Sequence, residues 1–236
     1  MNKLFVALTF ACSGTILFSM SAQEPSPSVS RAEEDSTNES KGVIDDPDGY
    51  VNLRNEKSAN SSIVAKVKKD EPFDFECKIT NEQRTDHETW CKVKLASGVT
   101  GWMHYSRIKF FYTQNDLPKG PEDSGDEIAE QTREQGVNYY KLARAAARGD
   151  KKALIRFFTL SLDGAAAETH VTSEVPVVIH LLGDDKFAEF LREQPRKFRE
   201  NVSLGRDLGA FYPFDSKEYF RRHFPKSAKL VFTDSE

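Results

Sequence analysis

Cysteine is scarce in this chain, with three in 236 residues, and histidine numbers five. Neither set is arranged for familiar catalysis. A papain-like peptidase needs a thiolate at a helix start beside a histidine, yet Cys77 and Cys91 fall in strand-like segments on the apparent core side, and Cys12 lies in the apolar leader. A zinc amidase needs three ligands at workable spacing. No two of His87, His104, His170, His180 and His223 stand four apart, and no H-E-x-x-H occurs. A G-x-S-x-G elbow and a phosphate-cradling glycine loop are missing as well. An enzyme would therefore need an unfamiliar site, with His170 and His180 as the pair to test. No metal and no cofactor is expected. Charge of one sign is not in excess either: 33 Lys and Arg stand against 37 Asp and Glu, and the net −4 gives no pull toward nucleic acid or an anionic membrane.

Long apolar runs are confined to the first twenty or so positions, MNKLFVALTFACSGTILFSMSA. One lysine, an apolar stretch and small residues are the layout of a signal peptide over residues 1–22, cleaved after Ser21 or Ala22. The run is short for a bilayer span, and no other segment could form one. The expectation is an exported protein, periplasmic or extracellular, with no stable span after cleavage. Removal of the leader leaves Cys77 and Cys91, an even pair in an oxidising location.

Residues 23–41 are rich in Ser, Glu and Pro with one large apolar residue, Val29, and read as a disordered linker. Residues 113–125 have a similar character and separate two unlike halves. Between these linkers, residues 42–112 contain six short alternating segments at 51–54, 62–67, 73–79, 90–95, 100–103 and 108–111, bounded by turn formers. This spacing favours a small closed barrel. Phe73, Phe75, Cys77 and Ile79 share one strand face, and Cys91, Val93 and Leu95 share another. A hairpin turning near Arg84 sets Cys77 opposite Cys91. A cross-strand disulfide there would add roughly 3 kcal/mol by loop entropy; two free thiols packed as small hydrophobes are the alternative.

From residue 126 to 236 the period becomes helical. Tyr139, Leu142, Ala143 and Ala146 mark one face, Gly149 a stop, Asp150 a cap, and Leu154, Phe157, Phe158 and Leu162 core positions. Gly-Asp pairs at 149–150 and 183–184 hint at a helical repeat, and a non-repetitive bundle fits equally. Pro176, Pro195, Pro213 and Pro225 mark helix starts, ends or breaks. The basic run at 195–207 and Arg221-Arg222 read as solvated helix face.

GYVNLR (49–54), the S-x-x-S-x-I-V of 58–64, WCKV (90–93) and the G-x-x-G-W-M-H-x-S-R-I of 98–108 together resemble the bacterial SH3-like (SH3b) domain over about 70 residues. Lys69-Asp70-Glu71 departs from the family, which has glycine near that turn, and the loop at 80–88 is long and charged. The fold class is thus multidomain, a small all-β SH3-like barrel followed by an all-α helical domain.

The resemblance implies a barrel of five to seven strands that binds cell-wall peptides or protein partners, without catalysis. With Met103 inward beside Val51, Leu53 and Val93, Trp102 and His104 face outward or into a groove. Tyr50 and Trp90 alternate with Val51 and Cys91 and can do the same. The ligand-binding candidates are Tyr50, Trp90, Trp102, His104 and Tyr105. The expected function is an exported envelope protein that binds a cell-wall peptide or glycan, or an envelope protein, with the helical half as a second interaction surface. The alternatives are a wall hydrolase with an unrecognised site in the helical half, and a structural scaffold with the barrel as spacer.

Overall fold

The computed structural model of the chain describes residues 40–77, 90–120, 127–204 and 216–232. The signal peptide, all but the last two residues of the first linker, Ile79, the 80–88 loop with Arg84 and His87, and Pro213 lie outside the described residues.

Seven strands form one antiparallel sheet: β1 Ser40–Ile44, β2 Tyr50–Arg54, β3 Ile63–Lys68, β4 Phe73–Glu76, β5 Trp90–Leu95, β6 Thr100–His104 and β7 Ile108–Phe110. The order is β3-β2-β6-β5-β4-β1-β7. The sequence pattern favours a closed barrel, whereas β3 and β7 sit at the two ends of a half-barrel. The pattern predicts six of these strands and β1 is the seventh, pairing with both β4 and β7. Alternation puts Leu53, Val67, Phe73, Phe75, Cys91, Val93 and Met103 in the core. In the β4–β5 ladder Phe73 faces Leu95 and Phe75 faces Val93. The next step along that register brings Cys77 to Cys91, and the two form a disulfide. Gly101 lets β6 approach β2 closely: a Cβ there would lie 2.6 Å from the Arg54 carbonyl oxygen and 2.7 Å from Leu53 Cγ.

The Lys69-Asp70-Glu71 turn shows what the missing glycine costs. Asp70 has φ of 64°, in the left-handed region that penalises a Cβ. Asp70→Gly is expected to raise stability by about 0.5 kcal/mol, the relieved strain being partly offset by the greater freedom of unfolded glycine. A urea midpoint that stays put or falls in the variant would count against this account of the turn.

The helices are α1 Glu127–Glu134, α2 Tyr139–Ala147, α3 Lys151–Phe158, α4 Gly164–Thr169, α5 Val175–Arg192, α6 Arg196–Leu204, α7 Ser216–His223 and α8 Pro225–Val231, with a π-helical turn, His170–Glu174, between α4 and α5. Tyr139, Ala143, Ala146, Leu154 and Phe157 are buried, and Leu142, Phe158 and Leu162 pack against that core. Pro176 lies in the first turn of α5, Pro195 just before α6, and Pro225 opens α8. At Pro195 and Pro225 a missing N–H costs no helix bond, whereas Pro176 follows directly on the π-helical turn, in backbone that is already helical. The two Gly-Asp pairs do different work. Asp150 accepts from the Ala153 N–H at 2.9 Å and caps its own helix, α3. Gly183, with φ of 72°, breaks α5, and the Asp184 carboxylate accepts from the Lys226 and Ser227 N–H groups at 2.9 and 2.8 Å. It thereby caps α8 from more than 40 residues away in sequence.

Strands and helices belong to one compact unit, Thr37–Glu236. Their seam is a buried hydrogen-bond chain. The Phe110 N–H of β7 donates to the Tyr219 hydroxyl oxygen at 2.8 Å. The hydroxyl lies 2.9 Å from His180 Nε2, and His180 Nδ1 lies 2.7 Å from the Pro176 carbonyl. A carbonyl only accepts, so Nδ1 carries the ring proton, Nε2 accepts, and Tyr219 donates to it. Burial acts in the same sense, pushing His180 down to about 3 and Tyr219 well above the usual tyrosine range. Beside this chain, His223 Nδ1 donates to Asp45 Oδ2 at 2.7 Å. Burial pushes His223 below the usual histidine range against the pull of Asp45, and the bond it donates holds the Asp45 carboxyl below its usual range. Tyr112 packs on the His180 ring at 4.9 Å and is pushed up to about 12 by burial.

Candidate binding face of the barrel

The outward positions of the sheet follow from its register. Arg54 of β2 faces Ile63 of β3 on one side and Trp102 of β6 on the other. Trp102 in turn faces Lys92 of β5, and Lys92 faces Glu76 of β4. With strands about 4.8 Å apart, the row from Ile63 to Lys92 spans roughly 14 Å. A second row pairs Trp90 with His104, whose rings meet edge to face at 5.6 Å. Tyr50 and Asn52 face Lys68 and Lys66.

This arrangement brings together four of the five residues singled out in the sequence. Tyr50 is 41% exposed, and Trp90, Trp102 and His104 are half-buried with Met103 sealed beneath them. His104 also has a local role: its Nδ1 lies 2.7 Å from Ser106 Oγ and 3.4 Å from the Ser106 N–H, at the cap of a 3-10 turn over Tyr105–Arg107. By alternation Tyr105 falls on the side of Met103, opposite to Trp102 and His104, so it does not join the face. It is 7% exposed, and its hydroxyl donates to Glu218 Oε2 of α7 at 3.2 Å. Arg107 pairs with Asp46.

Sequence reasoning missed the cations of the face. Lys57 Nζ sits 4.4 Å above the Trp102 ring, and Lys66 Nζ sits 4.2 Å above the Tyr50 ring. Arg54 and Lys66 share the strand parity of Tyr50 and could have been placed by alternation. Lys57 is in a loop, where no periodicity marks it. Ile63, 51% exposed, adds apolar surface at the edge strand.

The helical histidines are not brought to this face, and they serve separate hydrogen-bond sets. His180 belongs to the seam. His170 Nδ1 lies 2.7 Å from the Tyr139 hydroxyl in the helical core, and burial pushes the imidazole down to about 4. Among the described residues, no three His, Cys, Asp or Glu side chains gather as they would to hold a metal ion, and no helix is long and apolar enough to cross a membrane.

Residues 49–109 match the family described as Bacterial SH3 domain. No curated protein and no solved structure matches the chain. The matched segment runs from the turn before β2 into β7 and contains the whole aromatic and cationic face. Residues 49–109 are a bacterial SH3 domain, followed in this chain by a helical region that begins at Glu127.

Proposed function

We propose that this protein is an exported cell-envelope binding protein whose SH3 domain holds a peptide, peptidoglycan or protein partner on the outer face of β2, β6 and β5. The helical region supplies a second interaction surface, and the protein acts by binding, not by catalysis. The observation that carries this reading is the cluster of Tyr50, Trp102 and Trp90 on the solvent side of a bacterial SH3 domain. Rings held half out of a core give contact area with little loss of side-chain entropy, which is why aromatic residues dominate binding energy at interfaces. The Cys77–Cys91 bridge and the leader sequence support an oxidising, exported setting.

Trp102→Ala is expected to weaken retention on purified cell-wall sacculi by about tenfold or more, the effect of losing a hot-spot aromatic. Co-sedimentation reads this, with an unchanged circular dichroism spectrum as the folding control. Wild-type protein that fails to sediment with sacculi, or a variant that sediments equally well, overturns the proposal. Release of soluble wall fragments during the same incubation would make the protein a hydrolase instead.

A further inference from the structure

The strands of the face carry an excess of positive charge. The chain as a whole has more acid than base, yet β2, β3, β5 and β6 contain no Asp or Glu, while Arg54, Lys66, Lys68, Lys92 and Lys94 all lie on them. Among the described residues, acids lie on β4, where Asp74 and Glu76 face Lys94 and Lys92, and in the flanking turns at Glu56, Asp70 and Glu71, the last of which accepts from the Lys68 N–H at 3.1 Å.

Two of the cations are seated on the aromatic residues of the site. An ammonium over a ring is held by the negative π face and keeps N–H donors for an anion. Arg54 lies across from Trp102 in the sheet, and its Nη1 donates to the Ser61 carbonyl, a neutral acceptor that leaves the guanidinium charge uncompensated. Among the described residues, Arg54, Lys57 and Lys66 have no carboxylate partner.

We infer that the face selects a peptide bearing free carboxylates, with Lys57, Arg54 and Lys66 pairing with those groups while Trp102 and Ile63 take the apolar part of the ligand. A second copy of this chain is a poor occupant, because it would present the same cations to each other. The inference rests on the binding reading above and adds the charge of the ligand to it.

The test uses the full chain and one probe in two forms: an N-acetylmuramyl peptide with free carboxylates, and the same peptide with its carboxylates converted to amides. By calorimetry at about 0.05 M salt the free form is expected to bind about tenfold more tightly, and the ratio should shrink by about 0.5 M salt as exposed charges are screened. Lys57→Gln/Lys66→Gln, two changes at exposed side chains, should bring the two affinities to within about twofold of each other. Equal affinities in the wild-type protein, or a double variant that keeps the full preference, overturns carboxylate selection and leaves the binding function standing. Failure of both forms to bind overturns the binding function and this inference with it.

Discussion

Tyr219→Phe is expected to lower stability by about 3 kcal/mol, a large effect for the loss of one oxygen. The hydroxyl serves two partners at once, accepting from the buried Phe110 N–H at 2.8 Å and donating to the half-buried His180 Nε2 at 2.9 Å. Phenylalanine fills the same space but removes the bond that each of these groups makes to the hydroxyl, and a buried polar group that loses its partner costs on the order of 1–3 kcal/mol. Water has little room to substitute, since Tyr219 is 3% exposed and packs against the rings of Phe110, His180 and His223. Urea unfolding measures the loss. A double variant adding His180→Leu should recover part of it, because the orphaned Nε2 is then gone. Hydrogen exchange at the Phe110 amide should quicken in the single variant. A loss below about 1 kcal/mol, with Phe110 exchange unchanged, would show that the seam does not depend on this hydroxyl.

Reduction of the Cys77–Cys91 bridge should cost roughly 3 kcal/mol, the loop-closure value for a separation of 14 residues. The barrel is small, and a core of that size gains much of its margin from such a staple. Comparing oxidised with reduced protein of the same sequence is cleaner than substitution, because Cys91 is fully buried and a smaller residue there would add a cavity. Denaturation with and without reductant, followed by Trp90 and Trp102 fluorescence, reads the difference. Coincident transitions would mean that the bridge contributes nothing to the barrel.

Much of the barrel was legible because a pleated strand has a period of two and a buried face. FDFEC and CKVKL, read only for that alternation, set Cys77 across from Cys91, and the ladder has that register. Gly149 and Asp150 were legible for a similar reason, since helix stops and caps are local chemistry. The rest was not local. β1 carries a short, glycine-containing sequence and exists as a strand because β4 and β7 supply its partners. Asp184 sits in what reads as a repeat of Asp150, yet its carboxylate caps a helix far along the chain. Tyr219 and His180 meet across 39 residues, and Tyr219 meets Phe110 across 109; no window of sequence contains such a pair. In the candidate face, the aromatic residues followed strand parity. Tyr105 has the opposite parity, that of Met103, and is buried, while Lys57 reached the face from a loop.

The bond from the β7 main chain to Tyr219 has a mechanical meaning. A hinge between two modules absorbs motion by bending, whereas here the strands are pinned through β7 to α7 and α5. On the binding function proposed above, a ligand beside Trp102 and a partner on the helices would keep a constant bearing to each other.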